Sequence, residues 1–230
     1  MAATLRTGKY GNYYGSLQGT SSPLTNEQME INVVYIYSFL LDKGWTPEAI
    51  AGVLGNMENE GGMNPGRWEN DDVSYTSGGC GLVGWTPGRR HTSWCAERGW
   101  DWTTMDANLE HLNWEIHDGD DYYSTAGYPM SYEEFTKSKE SPYYLACAFA
   151  WNYERSWVVL YGSAAEKEEL RQRRGGDAEK WYTYLTGKEP IPPDPDFPWN
   201  PGIPIIPGTR KKRKGYNFVL FGKKQWRFPQ

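Results

Sequence analysis

The sequence is poor in cysteine and histidine, and neither residue type is spaced as a metal site requires. The three cysteines, Cys80, Cys95 and Cys147, form no CxxC pair and no Cys/His pattern, so zinc is not expected. Thiols are the default expectation, with one disulfide left open. The histidines show no ligand spacing, and no nucleotide-binding motif is present. We therefore expect no metal and no cofactor.

Long apolar runs are also absent, and the acidic and basic residues are unevenly distributed. The first residues contain no hydrophobic stretch of the length that a secretory signal or a membrane span requires. We expect no export by the ordinary route and no membrane span. The formal net charge is −5, but from Lys188 onward nine basic residues stand against three acidic ones, which gives +6 there and −11 elsewhere. The acidic body argues against nucleic acid as its partner.

Aromatic residues are plentiful, with 12 Trp and 17 Tyr. Aromatic faces stack on sugar rings, so a saccharide ligand is one interpretation. A core and interfaces rich in aromatic side chains are the other. Composition alone leaves both open.

Composition divides the chain into four segments. Residues 1–24 are rich in Gly, Ser, Thr and Tyr and are expected to be an extended arm. Residues 25–187 carry the helical signals and form the main domain. Residues 188–209 have proline at nearly every second or third position, which predicts a stiff spacer. Residues 210–230, basic and aromatic, are expected to anchor the chain to a partner.

Capping signals predict where the helices of the main domain begin and end. Thr25 and Gln28 have capping-box spacing, and Thr46 is followed by a proline that suits the first helical position. Further helices are expected near residues 89–98, 106–117, 131–137 and 141–154, and a last one is expected from Asp177 to about Gly187, after Gly175 and Gly176. Residues 63–85 predict a loop with a small hairpin. The expected fold class is mostly α with a small β-hairpin (α+β).

Glu60 is the candidate for acid chemistry, since it ends the second predicted helix. Cleavage of a glycosidic bond needs a carboxylic acid that stays protonated near neutral pH. The negative end of the helix dipole, the neighbouring Glu58 and the apolar Met57 and Met63 would each raise the pKa of Glu60. The glycines that follow it would form the floor of a cleft. The alternative for Glu60 is a solvated residue at a helix end.

A second carboxylate would come from the next loop, which offers Glu69, Asp71 and Asp72. Inverting glycosidases hold their two carboxylates roughly 6.5 to 9.5 Å apart and retaining ones roughly 5 to 5.5 Å apart. The sequence does not fix that distance. Asx turns in a polar loop are the alternative for each of these acids.

Four ordered motifs resemble the lysozyme-like domain of tail-associated peptidoglycan hydrolases of short-tailed phages that infect Gram-positive bacteria. The first two are GNMENEGGMNPGRWEN, which contains Asn56, Glu60 and Asn64, and GCGLVGWTPGRR, which contains Trp85. The others are AWNYERS at residues 150–156 and RGGDAEKWY at residues 174–182. The resemblance spans about residues 26–187 and implies a lysozyme-like fold.

The resemblance implies that Glu60, not Glu58, is the catalytic acid. It implies that Trp85 and Tyr153 border the sugar cleft; Trp68 and Tyr75 complete our set of substrate-binding candidates, and Asp71 and Asp72 are the candidates for the second carboxylate. One position departs from the family pattern, because Gly84 stands where the family usually has glutamine. A side chain that could contact substrate or water is therefore absent there.

By the same resemblance, the chain would be a virion component at the phage tail tip, or tail knob, that opens the cell wall during viral genome ejection. The bond cleaved would be the β-1,4 bond between MurNAc and GlcNAc, and other tail proteins would bind residues 1–24 and 188–230. A lytic transglycosylase with the same acid is an alternative, since it needs no second carboxylate. A tail-tip protein that binds glycan without cleaving it is another.

Overall fold

The computed structural model describes residues 3–16, 23–118 and 121–188. The predicted proline-rich spacer and basic C-terminal segment lie outside the described residues, apart from Lys188. Within the described part, the prediction of a mostly helical fold with one small hairpin is confirmed. The helices are α1 (Asn26–Asp42), α2 (Pro47–Glu60), α3 (Arg89–Ala96), α4 (Met105–Asp118), α5 (Tyr132–Lys137), α6 (Pro142–Phe149), α7 (Trp157–Tyr161) and α8 (Ala164–Leu185).

The hairpin lies in the N-terminal arm. Strands β1 (Thr4–Gly8) and β2 (Gly11–Gly15) are antiparallel, and the turn between them ends on Gly11 at φ 96°. The arm is thus extended, as expected, but its two strands pair with each other and pack on the chain's own core. Tyr10 and Tyr13 are buried, and each packs edge-on against Tyr35 of α1.

Helix α2 is the centre of the domain. It begins at Pro47, with the Thr46 side chain accepting from the backbone N–H of Ala49, and it is buried continuously over residues 49–57. A helix that is apolar on all sides needs neighbours on all sides, and α6 and α8 supply two of them. A Cβ at Gly55 would lie 2.4 Å from the main-chain oxygen of Arg174, so glycine is what allows α8 to approach this closely.

Several local predictions are confirmed by the caps. The capping boxes at Thr25 and Ser131 form, and Gly61 caps α2. All three cysteines are buried free thiols.

Two local predictions are wrong. Helix α8 begins at Ala164 instead of Asp177 and runs straight through the two glycines, because Gly175 packs against the ring of Tyr143, where a Cβ would lie 2.3 Å from a ring carbon. The small hairpin expected within residues 63–85 is not formed as strands. Single bridges join Trp68 to Cys80 and Cys80 to Trp85 instead, since positive φ angles interrupt the extended backbone at residues 70, 71, 81 and 84.

The predicted helix at residues 141–154 divides into α6 and a five-residue π-helical segment, Ala150–Glu154. The segment ends on Arg155, which has the left-handed φ of 45°. Such segments often occur at functional sites. Here the segment brings Glu154 to the edge of a cleft.

Candidate active site

A cleft of about 830 Å³ lies between the C-terminal end of α2, the loop of residues 67–86 and the junction between α6 and α7. Its wall includes three carboxylic acids, from Glu60, Glu69 and Glu154, and two aromatic rings, from Tyr75 and Trp157. Acids beside the exposed Tyr75 ring and the partly exposed Trp157 ring make this cleft suited to a polar ligand with flat apolar faces, such as a sugar.

Glu60 is held at the cleft by α8. The guanidinium of Arg174 donates to Oε1 of Glu60 at 2.5 Å, and also to the main-chain oxygen and Oδ1 of Asn56 at 3.2 and 3.0 Å. The Arg174 side chain is 5 % exposed and that of Glu60 is 25 % exposed. Arg67 donates to the main-chain oxygen of Glu60. The carboxyl group is thus fixed through one oxygen by a buried cation.

This environment differs from the one that the sequence predicts. Met57 and Met63 are buried as expected. Glu58, however, turns toward α8, where it accepts from Lys180 and from the Trp181 indole at 2.7 Å. Its charge is therefore compensated away from Glu60. The Arg174 guanidinium contacts Glu60, and a cation favours the ionised form of a carboxylate that it contacts. The sequence analysis expected the opposite influence, from the negative charge of Glu58.

Gly84 faces the carboxyl group of Glu60. Its φ is 61°, and a Cβ built on it would lie 3.3 Å from Oε2 of Glu60. A side chain at this position would therefore point at the candidate acid. Both Gly84 and Glu60 line the cleft.

The glycines that form the cleft wall are not the ones that the sequence predicts. Gly61 and Gly62 do not belong to the described lining of the cleft, so the prediction that they form its floor is wrong. Gly79, Gly81 and Gly84 do line it. Gly61 instead allows a close approach of the loop, since a Cβ there would lie 3.1 Å from the main-chain oxygen of Gly81.

The loop acids fall into two groups. Asp71 and Asp72 are exposed and are not among the described residues that line the cleft. Asp72 accepts from the backbone N–H and hydroxyl of Ser74, and these hydrogen bonds lower the pKa of Asp72. Glu69 does line the cleft, where its carboxylate accepts from the N–H of Gly79 at 2.8 Å. Glu154, which the sequence analysis did not single out, lines the facing wall.

The four predicted substrate-binding aromatics are placed differently from one another. Tyr75 lines the cleft and is 40 % exposed. Trp68 is buried beneath it and donates its indole N–H to the carbonyl of Tyr75. Trp85 and Tyr153 are buried as well, and both line a second, smaller cavity of about 260 Å³. The described part of the main cleft thus presents Tyr75, together with Trp157, which the sequence analysis did not identify.

Trp85 and Tyr153 meet at Glu115 of α4. The indole N–H of Trp85 lies 3.1 and 3.2 Å from the two carboxyl oxygens, and the Tyr153 hydroxyl donates to Oε2 at 2.6 Å. Burial raises the pKa of Glu115 to about 8. Nothing in the sequence around Glu115 signals this role, because its partners lie 30 and 38 residues away.

Two histidines pack beside Glu115. Nδ1 of His91 lies 2.9 Å from Nδ1 of His111, and both rings stack with the indole of Trp85. Burial lowers the pKa of His91 to about 4 and that of His111 to about 2. His111 is therefore neutral at pH 7, and its 3.8 Å contact with Glu115 is not an ion pair.

Among residues 3–16, 23–118 and 121–188, no group of three or more His, Cys, Asp or Glu side chains is arranged to hold a metal ion. In that same part of the chain, no helix combines the length and the apolar character needed to cross a bilayer.

Two comparisons relate the chain to phage proteins. The family model described as phage tail lysozyme matches residues 31–185, a range that contains the whole described lining of the cleft. Morphogenesis protein 1 of Bacillus phage B103 is 38% identical to the chain over 165 residues, which is 72% of this chain and 42% of that protein. The match therefore spans less than half the length of this relative.

Proposed function

The chain belongs to the phage tail lysozyme family, and on this premise we propose that it cleaves the glycan strand of peptidoglycan with Glu60 as the general acid. The bond is the β-1,4 bond between MurNAc and GlcNAc. The observation that carries the proposal is the position of Glu60, whose Oε1 contacts buried Arg174 while Oε2 faces the cleft beside Gly84.

The proton reaches the leaving oxygen from Oε2 of Glu60 in this scheme. Arg174 favours the ionised carboxylate, so the acid form must be favoured by the substrate itself. A glycan strand lying over Oε2 excludes water from the quarter of the side chain that is exposed, and desolvation favours the neutral acid. General acid catalysis of this kind contributes about 10²- to 10⁴-fold in rate.

Hydrolysis also requires a group that activates water or stabilises the sugar cation. From the sequence we retain Asp71 and Asp72 for this role, and their use requires the exposed loop to move toward the cleft. We add Glu69 and Glu154, because both line the cleft. Tyr75 and Trp157 are the proposed stacking surfaces for the sugar rings.

A lytic transglycosylase with the same acid is the second candidate. It is favoured by the placement of Asp71 and Asp72 outside the described cleft lining, since this reaction uses the substrate's own hydroxyl as nucleophile and needs no second carboxylate. A tail protein that grips glycan without cleaving it is the third. It is favoured by the missing side chain at Gly84, directly beside Glu60.

The test uses purified peptidoglycan and the Glu60→Gln variant. Glu58→Gln is the matched control, since it changes a glutamate of the same helix whose carboxylate faces α8. We expect Glu60→Gln to lower fragment release about 10²- to 10⁴-fold and Glu58→Gln to retain it. Reducing ends on the fragments identify hydrolysis, and intramolecular anhydro ends identify transglycosylation. Equal, negligible release by the wild type and Glu60→Gln would leave the glycan-binding function.

We place this activity at the phage tail tip, during entry of the viral genome, with residues 1–24 and 188–230 as the contacts to other tail proteins. The exposed Leu5 on β1 and the basic charge after residue 209 support these contacts. Deleting residues 189–230 is expected to leave glycan cleavage intact and to remove the protein from assembled particles. Loss of cleavage in the truncated protein would contradict an anchoring role.

A further inference from the structure

Glu115 is not among the described residues that line the cleft, but it bonds to a residue next to each of two cleft walls. On one side it bonds to Trp85, whose chain neighbours Gly84 and Thr86 both line the cleft. On the other side it bonds to Tyr153, which directly precedes cleft-lining Glu154. One carboxyl group on α4 therefore holds the residue next to each wall.

Each of the two segments also carries backbone hydrogen bonds of its own. The loop that carries Trp85 closes on itself through the paired backbone hydrogen bonds of Cys80 and Trp85. The π-helical segment closes on itself through the N–H of Arg155 and the oxygen of Ala150. Each of these sets of bonds stays within its own wall, whereas Glu115 bonds to residues of both walls.

We propose that Glu115 is a positioning residue that fixes the loop carrying Gly84 and the segment carrying Glu154 relative to each other, so that both stay in register with Glu60. The inference rests on the proposed glycan cleavage for its effect on turnover. The effect of Glu115 on the order of the loop and the segment is independent of glycan cleavage, because it is measurable in the protein without substrate.

The surroundings of Glu115 determine which variants are informative. Burial outweighs the hydrogen bonds from Tyr153 and Trp85, so the carboxyl group is neutral below about pH 8. The titratable or charged groups that face it are His111 on its own helix with His91 behind it, Arg90 and Asp121, which pair with each other, and Tyr132 and Tyr153. Both histidines are neutral at pH 7.

A glutamine imitates a neutral carboxylic acid, with one oxygen to accept from Trp85 and an amide group to donate to the Tyr153 hydroxyl. A methionine of similar size offers neither and leaves two buried donors without partners. Glu115→Gln is thus the conservative replacement and Glu115→Met the disruptive one. Glu110→Gln on the same helix is the matched control, because Glu110 pairs with Lys43 on another part of the surface.

The first measurement is hydrogen exchange of backbone amides. In Glu115→Met we expect the amides of Cys80, Trp85 and Arg155 to exchange at least about tenfold faster, while those of central helix α2 keep their protection. In Glu115→Gln and Glu110→Gln they should exchange as in the wild type. If Glu115→Met does not fold, Tyr153→Phe decides the question, because it removes one donor and should loosen Arg155 while sparing Cys80.

The second measurement is turnover on purified peptidoglycan at pH 6. Glu115→Met should lose about 10- to 100-fold, the scale expected for a misplaced site. Glu115→Gln should recover most of that loss, and Glu110→Gln should match the wild type.

Exchange rates and turnover in Glu115→Met that match the wild type would overturn the inference, as would a turnover in Glu115→Gln that stays as low as in Glu115→Met. A wild type that releases no fragments would refute the proposed function alone. Hydrogen exchange would then still decide whether Glu115 joins the two walls.

Discussion

Arg174 offers the sharpest test of how α8 supports the candidate acid. Its guanidinium contacts both Glu60 and Asn56 while it is almost fully buried. Replacing it with methionine keeps an unbranched apolar stem but removes every donor. Glu60 would then keep its charge at the cleft edge without the contact that orients Oε1.

The expected loss of stability follows from burial. Breaking a fully buried ion pair costs about 3–5 kcal/mol, but a quarter of the Glu60 side chain is exposed, and water screens that part. We therefore expect Arg174→Met to cost about 1–3 kcal/mol, including the lost bonds to Asn56. In a domain of this size that lowers Tm by roughly 2–10 °C. The stability of Arg174→Lys should lie between those of the wild type and Arg174→Met, since one ammonium group does not reproduce the planar donor set of a guanidinium.

The assay pairs thermal unfolding by circular dichroism with fragment release from peptidoglycan. Arg173→Met is the control, because Arg173 is exposed on the same helix, and it should leave both readouts unchanged. Fragment release by Arg174→Met should fall about 10- to 100-fold at temperatures where the variant is fully folded. A folded Arg174→Met variant with wild-type release and unchanged Tm would refute the view that Arg174 positions Glu60.

Three further predictions concern pH, packing and the cleft. The raised pKa of Glu115 stabilises the fold below pH 4.5, and this contribution is lost as pH rises toward 8. Urea unfolding at pH 5, 7 and 9 should show this loss in the wild type and not in Glu115→Gln. The lowered pKa of His111 acts in the opposite direction, with stability lost as pH falls below 6.5. Gly55→Ala should lower the free energy of unfolding by about 1–3 kcal/mol, because its Cβ would overlap the main chain of α8. Gly176→Ala should raise it by about 1 kcal/mol, because a Cβ at residue 176 of α8 would meet no atom within 4 Å. Equal melting temperatures for the two variants would contradict the packing argument. Gly84→Gln places a side chain that points at Glu60 on a residue with φ 61°. It should cost about 1–2 kcal/mol of stability through backbone strain and change fragment release without altering the circular dichroism spectrum. Unchanged release would show that position 84 does not reach the reacting bond.

The features of the fold that are local in sequence could be predicted from it. The caps at Thr25, Thr46 and Ser131 each depend on side chains within three residues of a helix start, so they are readable from the chain. The same holds for the end of α2 at Gly61, which places Glu60 at a helix terminus. The motif around Glu60 also carried the resemblance to the family that the comparisons show.

Other features were decided by packing between distant segments. Gly175 and Gly176 read as a helix break, yet α8 continues through them because the Tyr143 ring occupies the space that a side chain at residue 175 would need. The N-terminal arm pairs as a hairpin because two tyrosines on it find a core on α1. Neither partner lies close enough in sequence to leave a local signal.

The candidate site divides in the same way. The sequence by itself determined which acid ends α2 and that a glycine caps the helix directly after it. The tertiary structure decided that Arg174 contacts this acid, that Glu58 faces away from it, and that Trp85 and Tyr153 bond to Glu115 instead of lining the main cleft. The physical reason is that helix caps are set by neighbours along the chain, whereas the charge and hydration of a carboxyl group are set by whatever the fold packs against it.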